Sequence, residues 1–265
     1  MTCNRFSNLA SGSLALAALL GALALPAPGH ADSSAPPCNV TAEQVRLAHP
    51  LTRISHKLAA GEPITIVAIG SSSTAGTGAS SPAANYPSRL AVELAQHFPR
   101  QPITVLNRGV NGEEARDMIA RFDQSVITEK PDLVLWQVGT NSVLRDHPLA
   151  PHGALIHDGL SRLRTLGSDV ILIDPQFAPK VIAKPDAEGM VNLIATAAKQ
   201  ENIDLFRRFA LMRNWREVEG KPFETFVSPD GLHMNDWSYG CLAKALGVAI
   251  AEAATRPVAS ASAGR

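Results

Sequence analysis

Five short apolar runs punctuate the chain, at residues 64–69, 103–106, 133–138, 170–173 and 203–206. The stretches ITIVAI, LVLWQV and VILI are nearly unbroken rather than alternating between apolar and polar positions. A strand with water on one face alternates, so unbroken runs predict strands covered on both faces. The segments between them carry apolar residues at helical spacing and predict helices near residues 86–98, 113–122, 153–166 and 187–200, with a long last helix near 237–254. Ahead of the first strand, residues 41–60 read as a helix capped by Thr41, with Glu43 and Gln44 in its first turn and Pro50 interrupting or kinking it. Strands alternating with helices predict βαβ units and a parallel sheet. The expected fold class is α/β: a three-layer α/β/α sandwich, flavodoxin-like, with about five parallel strands.

At 265 residues with no internal linker, the chain predicts one large domain. Its 24 Lys and Arg are balanced by 24 Asp and Glu, so there is no basic excess of the kind that nucleic-acid binding needs. Residues 1–31 read as a signal peptide: Arg5 supplies the positive start, residues 14–25 an Ala- and Leu-rich apolar stretch, and Gly29-His30-Ala31 the cleavage site. A membrane anchor needs roughly 18 or more apolar residues, and this run is shorter. The expectation is a periplasmic or secreted protein with no stable membrane insertion after cleavage. Residues 32–62 then form a lead-in and helix, 63–255 the main domain, and 256–265 a Pro-, Ala- and Ser-rich tail without fixed structure. Cleavage removes Cys3 and leaves Cys38 and Cys241 in an oxidising compartment, where a disulfide between them is expected; two separate buried thiols are the alternative.

Three of the strands end in small polar loops: GSSSTAG at 70–76, NRGVNG at 107–112 and GTN at 139–141. In an open parallel sheet such loops converge on one crevice at the carboxyl ends of the strands. Far along the chain stands DGLH, residues 230–233, which places an acid and a histidine on one turn. These blocks resemble those of the SGNH (GDSL-like) hydrolase superfamily. The resemblance implies Ser72 as nucleophile, His233 as its base and Asp230 as the group that orients the base. It also implies an oxyanion hole made by the Ser72 and Gly109 N–H groups and the Asn141 amide. Two departures stand out. Ser71 occupies the place of the family's usual aspartate, and Asn141 is followed by Ser142 where an aspartate is common. Three consecutive serines leave the register open, and Thr74, two residues on, picks Ser72 over Ser71 and Ser73. Gly109 and Gly112 both suit a tight turn in any case. Asn107 and Asn111 are expected to stitch loops together, Trp136 to lie in the core, and Trp237 to wall the pocket or pack beneath it. Phe177 and Pro179 occupy a loop that could meet an acyl group or a sugar.

The function that the resemblance implies for an exported member is a serine esterase removing O-acyl groups, acetyl first, from a carbohydrate or cell-envelope glycan through an acyl-serine intermediate. It needs no cofactor and no metal. A lipid esterase, a thioesterase or an acyltransferase of the same fold is the alternative within the class. Outside it, a nucleotide-binding module is disfavoured because GSSSTAGTGAS has neither the lysine of a P-loop nor the third glycine of a dinucleotide fingerprint. A metal-dependent hydrolase would draw on Asp146, His147, His152 and His157. No HExxH spacing appears, Pro148 and Pro151 suggest a loop, and surface histidines are expected there. A non-catalytic carbohydrate-binding relative would retain the fold without the chemistry.

Overall fold

In the computed structural model, which describes residues 36–257, the apolar runs become the strands of one sheet. They are β1 (Ile64–Gly70), β2 (Ile103–Gly109), β3 (Leu133–Gln137), β4 (Asp169–Ile173) and β5 (Asp204–Phe206). All neighbours pair in parallel, in the order β2-β1-β3-β4-β5. Every residue of β3 is buried, as are all but one in β1, which is what strands sandwiched between two helix layers require. The chain leaves β1 toward β2 and then crosses back to β3 on the other side of β1. That reversal is the topological switch point at which open α/β sheets form their crevice.

Helices α1 (Thr52–Ala60), α2 (Ser72–Ala75), α3 (Tyr86–His97), α4 (Ala115–Ala120), α5 (Phe122–Ser125), α6 (Thr140–Leu144) and α7 (Ala150–Arg164) precede β4. After it come α8 (Pro179–Ile182), α9 (Ala187–Gln200), α10 (Arg208–Glu217), α11 (Phe223–Phe226) and α12 (Asp236–Thr255). Helix α12 packs on α3 and α1, while α7 packs on α4 and α9. Trp136 of β3 lies in the core, edge-on to Phe122 at a ring separation of 5.3 Å. Cys38 and Cys241 are joined in a disulfide with Cα atoms 5.6 Å apart, tying the N-terminal lead-in to α12. Residues 1–31, and all but 256 and 257 of the expected tail, lie outside the described residues.

Three expectations are corrected. The helix expected over residues 41–60 is confined to α1; Thr41 and Gln44 close an isolated turn on each other instead. Proline lacks the N–H a helix interior needs and pushes the preceding residue out of the helical region, so Pro50 ends any continuation. The backbone on either side is held from afar, His49 N–H by Asp204 and Leu51 N–H by the Ala253 carbonyl. Second, Pro151 lies inside the first turn of α7 rather than in a loop, a position where the missing N–H costs nothing. Third, Pro179, expected in a loop, begins the short helix α8, and the stretch between β5 and the DGLH turn, for which the sequence pattern predicts no element, contains α10 and α11.

Candidate active site

The turn after β1 sorts the three serines by their neighbours. Ser71 is buried and donates both its N–H and its hydroxyl to Gln137 Oε1, at 2.8 and 3.0 Å. Ser73 is buried and accepts from Arg208 Nη1 at 2.9 Å. Ser72, at the first position of α2, is the one left half-exposed at the surface. Its Oγ lies 2.9 Å from His233 Nε2, across 161 residues of sequence. The other ring nitrogen, Nδ1, faces Asp230 Oδ2 at 2.5 Å. With Nδ1–H donated to the carboxylate, Nε2 carries the lone pair that accepts the Ser72 proton.

The DGLH turn is built to hold that imidazole. Asp230 Oδ1 accepts the N–H groups of Leu232 and His233, each at 2.9 Å. Ser228 N–H donates to the His233 carbonyl at 2.8 Å, Gly231 N–H returns to Ser228, and Val227 bridges Met234. Immediately beyond, Asn235 and Ser238 cap α12 reciprocally, so the histidine is followed by a rigid helix start. Gly78, at φ +91°, packs under this turn; a Cβ there would lie 2.3 Å from the Met234 carbonyl oxygen and 3.1 Å from His233 Cβ. Partial burial opposes the charge on Asp230, but hydrogen bonds from the His233 ring and from the amides of His233 and Leu232 outweigh it. They hold the carboxyl below the usual carboxylate range.

One of the three donors expected to form an oxyanion hole is already engaged. The Gly109 N–H is taken by Asn107 Oδ1 at 2.9 Å, while Asn107 Nδ2 donates to the Thr74 carbonyl at 2.8 Å. A Cβ on Gly109 would lie 2.1 Å from Ala75 N, so this glycine serves the close approach of β2 to α2 and is not a free donor. Further along the same loop, Gly112 has φ +80°, and no described residue accepts its N–H. Asn141, in α6, donates one amide hydrogen to the Glu113 carbonyl at 2.8 Å and keeps a second hydrogen. Asn111 accepts from Thr77 Oγ1 at 3.2 Å, so the 107–113 loop is stitched to the segment after α2 and to α6.

Beneath Ser72 lies a buried polar layer that the sequence pattern did not mark. Arg208 is fully buried; its Nε donates to the Asp174 carbonyl at 2.9 Å and its Nη1 to Ser73. Asp174, also fully buried, accepts from Phe209 N–H at 2.8 Å. Burial pushes the Asp174 carboxyl up to about 7 and the Arg208 guanidinium down to about 10. Tyr86, whose hydroxyl lies 3.2 Å from Thr74 Oγ1, is raised to about 12, again by burial. The available signals were weak: Gln137 is the one polar residue in an apolar run, and Asp174 directly follows one.

The remaining candidates separate. Phe177 is buried against Phe209 and Phe223 rather than open to a ligand. Trp237 packs edge-on to Trp215 at 5.1 Å. Asp146 pairs with Lys184 and His157 with Glu201, whereas His147 and His152 converge on Glu114; His152 is buried, which corrects the expectation of a surface histidine.

Comparison with known proteins gives the family and the fold. The model of the non-GDSL lipase-like family matches residues 37–256. An acetylxylan esterase of Geobacillus stearothermophilus is 40% identical over 52 residues, 20% of this chain and 24% of that one. An arylesterase of Vibrio mimicus is 26% identical over 149 residues, 56% of this chain and 70% of that one. Among solved structures, a two-domain esterase active on acetylated mannans superposes with a TM-score of 0.70 at 18% identity, covering 82% of this chain and 58% of the other. The chain thus spans about a quarter of the length of the first of these relatives and little more than half of the two-domain esterase. It belongs to the non-GDSL lipase-like family, and its architecture is that of the SGNH-type hydrolases.

Proposed function

We propose that this protein is an exported carboxylic ester hydrolase that removes acetyl groups from an acetylated carbohydrate. The observation that carries the reading is the continuous contact Asp230–His233–Ser72, 2.5 Å and 2.9 Å, at the switch point of the sheet. Ser72 Oγ attacks the ester carbonyl as His233 Nε2 takes its proton, and Asp230 stabilises the imidazolium that forms. The oxyanion of the tetrahedral intermediate is met by the Ser72 N–H, the Gly112 N–H and the second Asn141 amide hydrogen, with Gly112 in the place first expected of Gly109. His233 returns the proton to the leaving alkoxide, which departs as the sugar alcohol. Water, deprotonated by the same imidazole, then releases acetate and regenerates the serine.

The acetyl-glycan substrate draws support from relatives described as acting on acetylated xylan and acetylated mannans. Export draws support from the signal-like residues 1–31 and from the Cys38–Cys241 bridge, which an oxidising compartment maintains. The test is a panel of p-nitrophenyl acetate, butyrate and octanoate together with acetylated xylo- and manno-oligosaccharides, scored by chromophore and acetate release. Turnover is expected to favour acetyl and to release acetate from the oligosaccharides. Preference for octanoate with no acetate released would move the protein to lipid esters. Acetyl transfer to added sugar in place of acetate release would make it an acyltransferase.

A further inference from the structure

A second cluster of chemistry-bearing side chains lies outside the triad, where three separate elements meet. Glu114 comes from the residue before α4, His147 from the loop after α6 and His152 from the first turn of α7. One ligand atom from each lies within 4.8 Å of the others. His147 Nδ1 is 2.9 Å from Glu114 Oε2, and His152 Nε2 is 3.9 Å from the same oxygen.

The surroundings orient each group toward the common point. His152 is buried, and its Nδ1 lies 2.9 Å from the Pro148 carbonyl, an acceptor only. Nδ1 therefore carries the proton, and in the neutral ring Nε2 presents a lone pair toward the Glu114 carboxylate. Two acceptors face each other there, and a cation between them resolves the conflict. Arg145 Nη1 holds the other carboxylate oxygen, Oε1, at 2.5 Å, and the Ser142 hydroxyl donates to Oε2 at 2.8 Å. A histidine whose second nitrogen is fixed by a carbonyl, and a carboxylate fixed by outer donors, are the partners that orient metal ligands. The cluster borders a cavity of about 280 Å³ whose other walls include Arg116, Asp117 and Leu155, which leaves an open side for a further ligand or water.

We propose that Glu114, His147 and His152 form a binding site for a divalent transition-metal ion of the zinc type. Two imidazoles and one carboxylate make a borderline nitrogen and oxygen set, suited to zinc rather than to calcium or magnesium. The site is distinct from the triad and holds whether or not the esterase reading does. It adjoins the oxyanion side: Ser142, which bonds Glu114, follows Asn141, whose amide is held by Glu113.

The test is calorimetric titration of zinc chloride into the full protein, made without a polyhistidine tag and stripped with EDTA, with bound metal counted by mass spectrometry. One zinc per chain is expected. His147→Ala, at a half-exposed position that leaves the core intact, is expected to weaken binding at least about tenfold, as is Glu114→Gln. His157→Ala and Asp146→Asn, in their own ion pairs, should bind as the wild type does. Zinc should also raise the melting temperature of the wild type and not that of His147→Ala. Absence of saturable binding at millimolar zinc, or equal affinity in His147→Ala and the wild type, would overturn the site and leave an ion pair bridged by protons alone.

Discussion

Replacing Arg208 by Met removes a buried cation from beneath Ser72 while roughly preserving side-chain volume. Two hydrogen bonds go with it, to the Asp174 carbonyl and to Ser73 Oγ, each 2.9 Å. Both acceptors are buried, and each group left unpaired costs about 1–3 kcal/mol. Relief of the guanidinium's own desolvation offsets part of this, so a net loss of about 2–4 kcal/mol is expected near pH 6. The second component depends on pH. The folded-state pKa of Asp174 stands at about 7 against an ordinary 3.8, so its contribution to stability is fully present below 3.8 and is lost as pH climbs through 7. Both proteins share that decline. Above 7 the wild type levels off, whereas in the variant the absent cation lifts the carboxyl further and the loss continues, by about 1.4 kcal/mol for each added pKa unit. Thermal unfolding followed by circular dichroism should show a deficit of roughly 4–16 °C at pH 6, at about 2–4 °C per kcal/mol for a domain of this size, and a larger deficit at pH 8.5. Equal deficits at the two pH values would refute the coupling of Arg208 to Asp174, and no deficit at either would refute the structural role altogether.

Three further outcomes are expected. Asn141→Ala should lower kcat on p-nitrophenyl acetate about a hundredfold with little change in KM, because its amide is aimed at charge that develops in the transition state; a change confined to KM would make it a binding residue. Asp230→Asn should reduce kcat by about 10²–10⁴-fold, since an amide in that place favours the wrong imidazole tautomer, and an unchanged rate in steady-state assays would show that the Asp230 contact does not serve catalysis. Replacing Cys38 and Cys241 together by Ala should cost about 3–5 kcal/mol in urea unfolding, given the 203-residue separation that the bridge closes; a midpoint within error of the wild type would show that the disulfide adds nothing.

The fold was legible where burial dictates composition. Largely apolar runs marked four strands closely, and α9 occupies the residues its periodicity predicts. β2 runs on through Asn107 and Arg108 because pairing with Ala68 and Ile69 depends on backbone groups and not on side-chain polarity. The start of α1 was not readable from its neighbours, because the N–H groups of Arg53 and Ile54 are satisfied by Asp169, more than a hundred residues away. The same limit governs the site. A local motif favoured Ser72, but what separates it physically from Ser71 and Ser73 is Gln137 and Arg208, distant partners that bury the two flanking hydroxyls. Gly109 and Gly112 look alike in sequence and differ in the fold: Gly109 lies in β2 with its N–H taken by Asn107 and α2 packed against it, whereas Gly112 has a positive φ and faces Arg145.

The most direct test of the catalytic reading is peptide mapping by mass spectrometry after reaction of the native protein with a fluorophosphonate. The account requires a single adduct on the peptide containing Ser71, Ser72 and Ser73, fragmenting to Ser72, absent in Ser72→Ala and slowed by orders of magnitude in His233→Ala. An adduct on Ser71 or Ser73, or labelling of Ser72 that does not depend on His233, would contradict it.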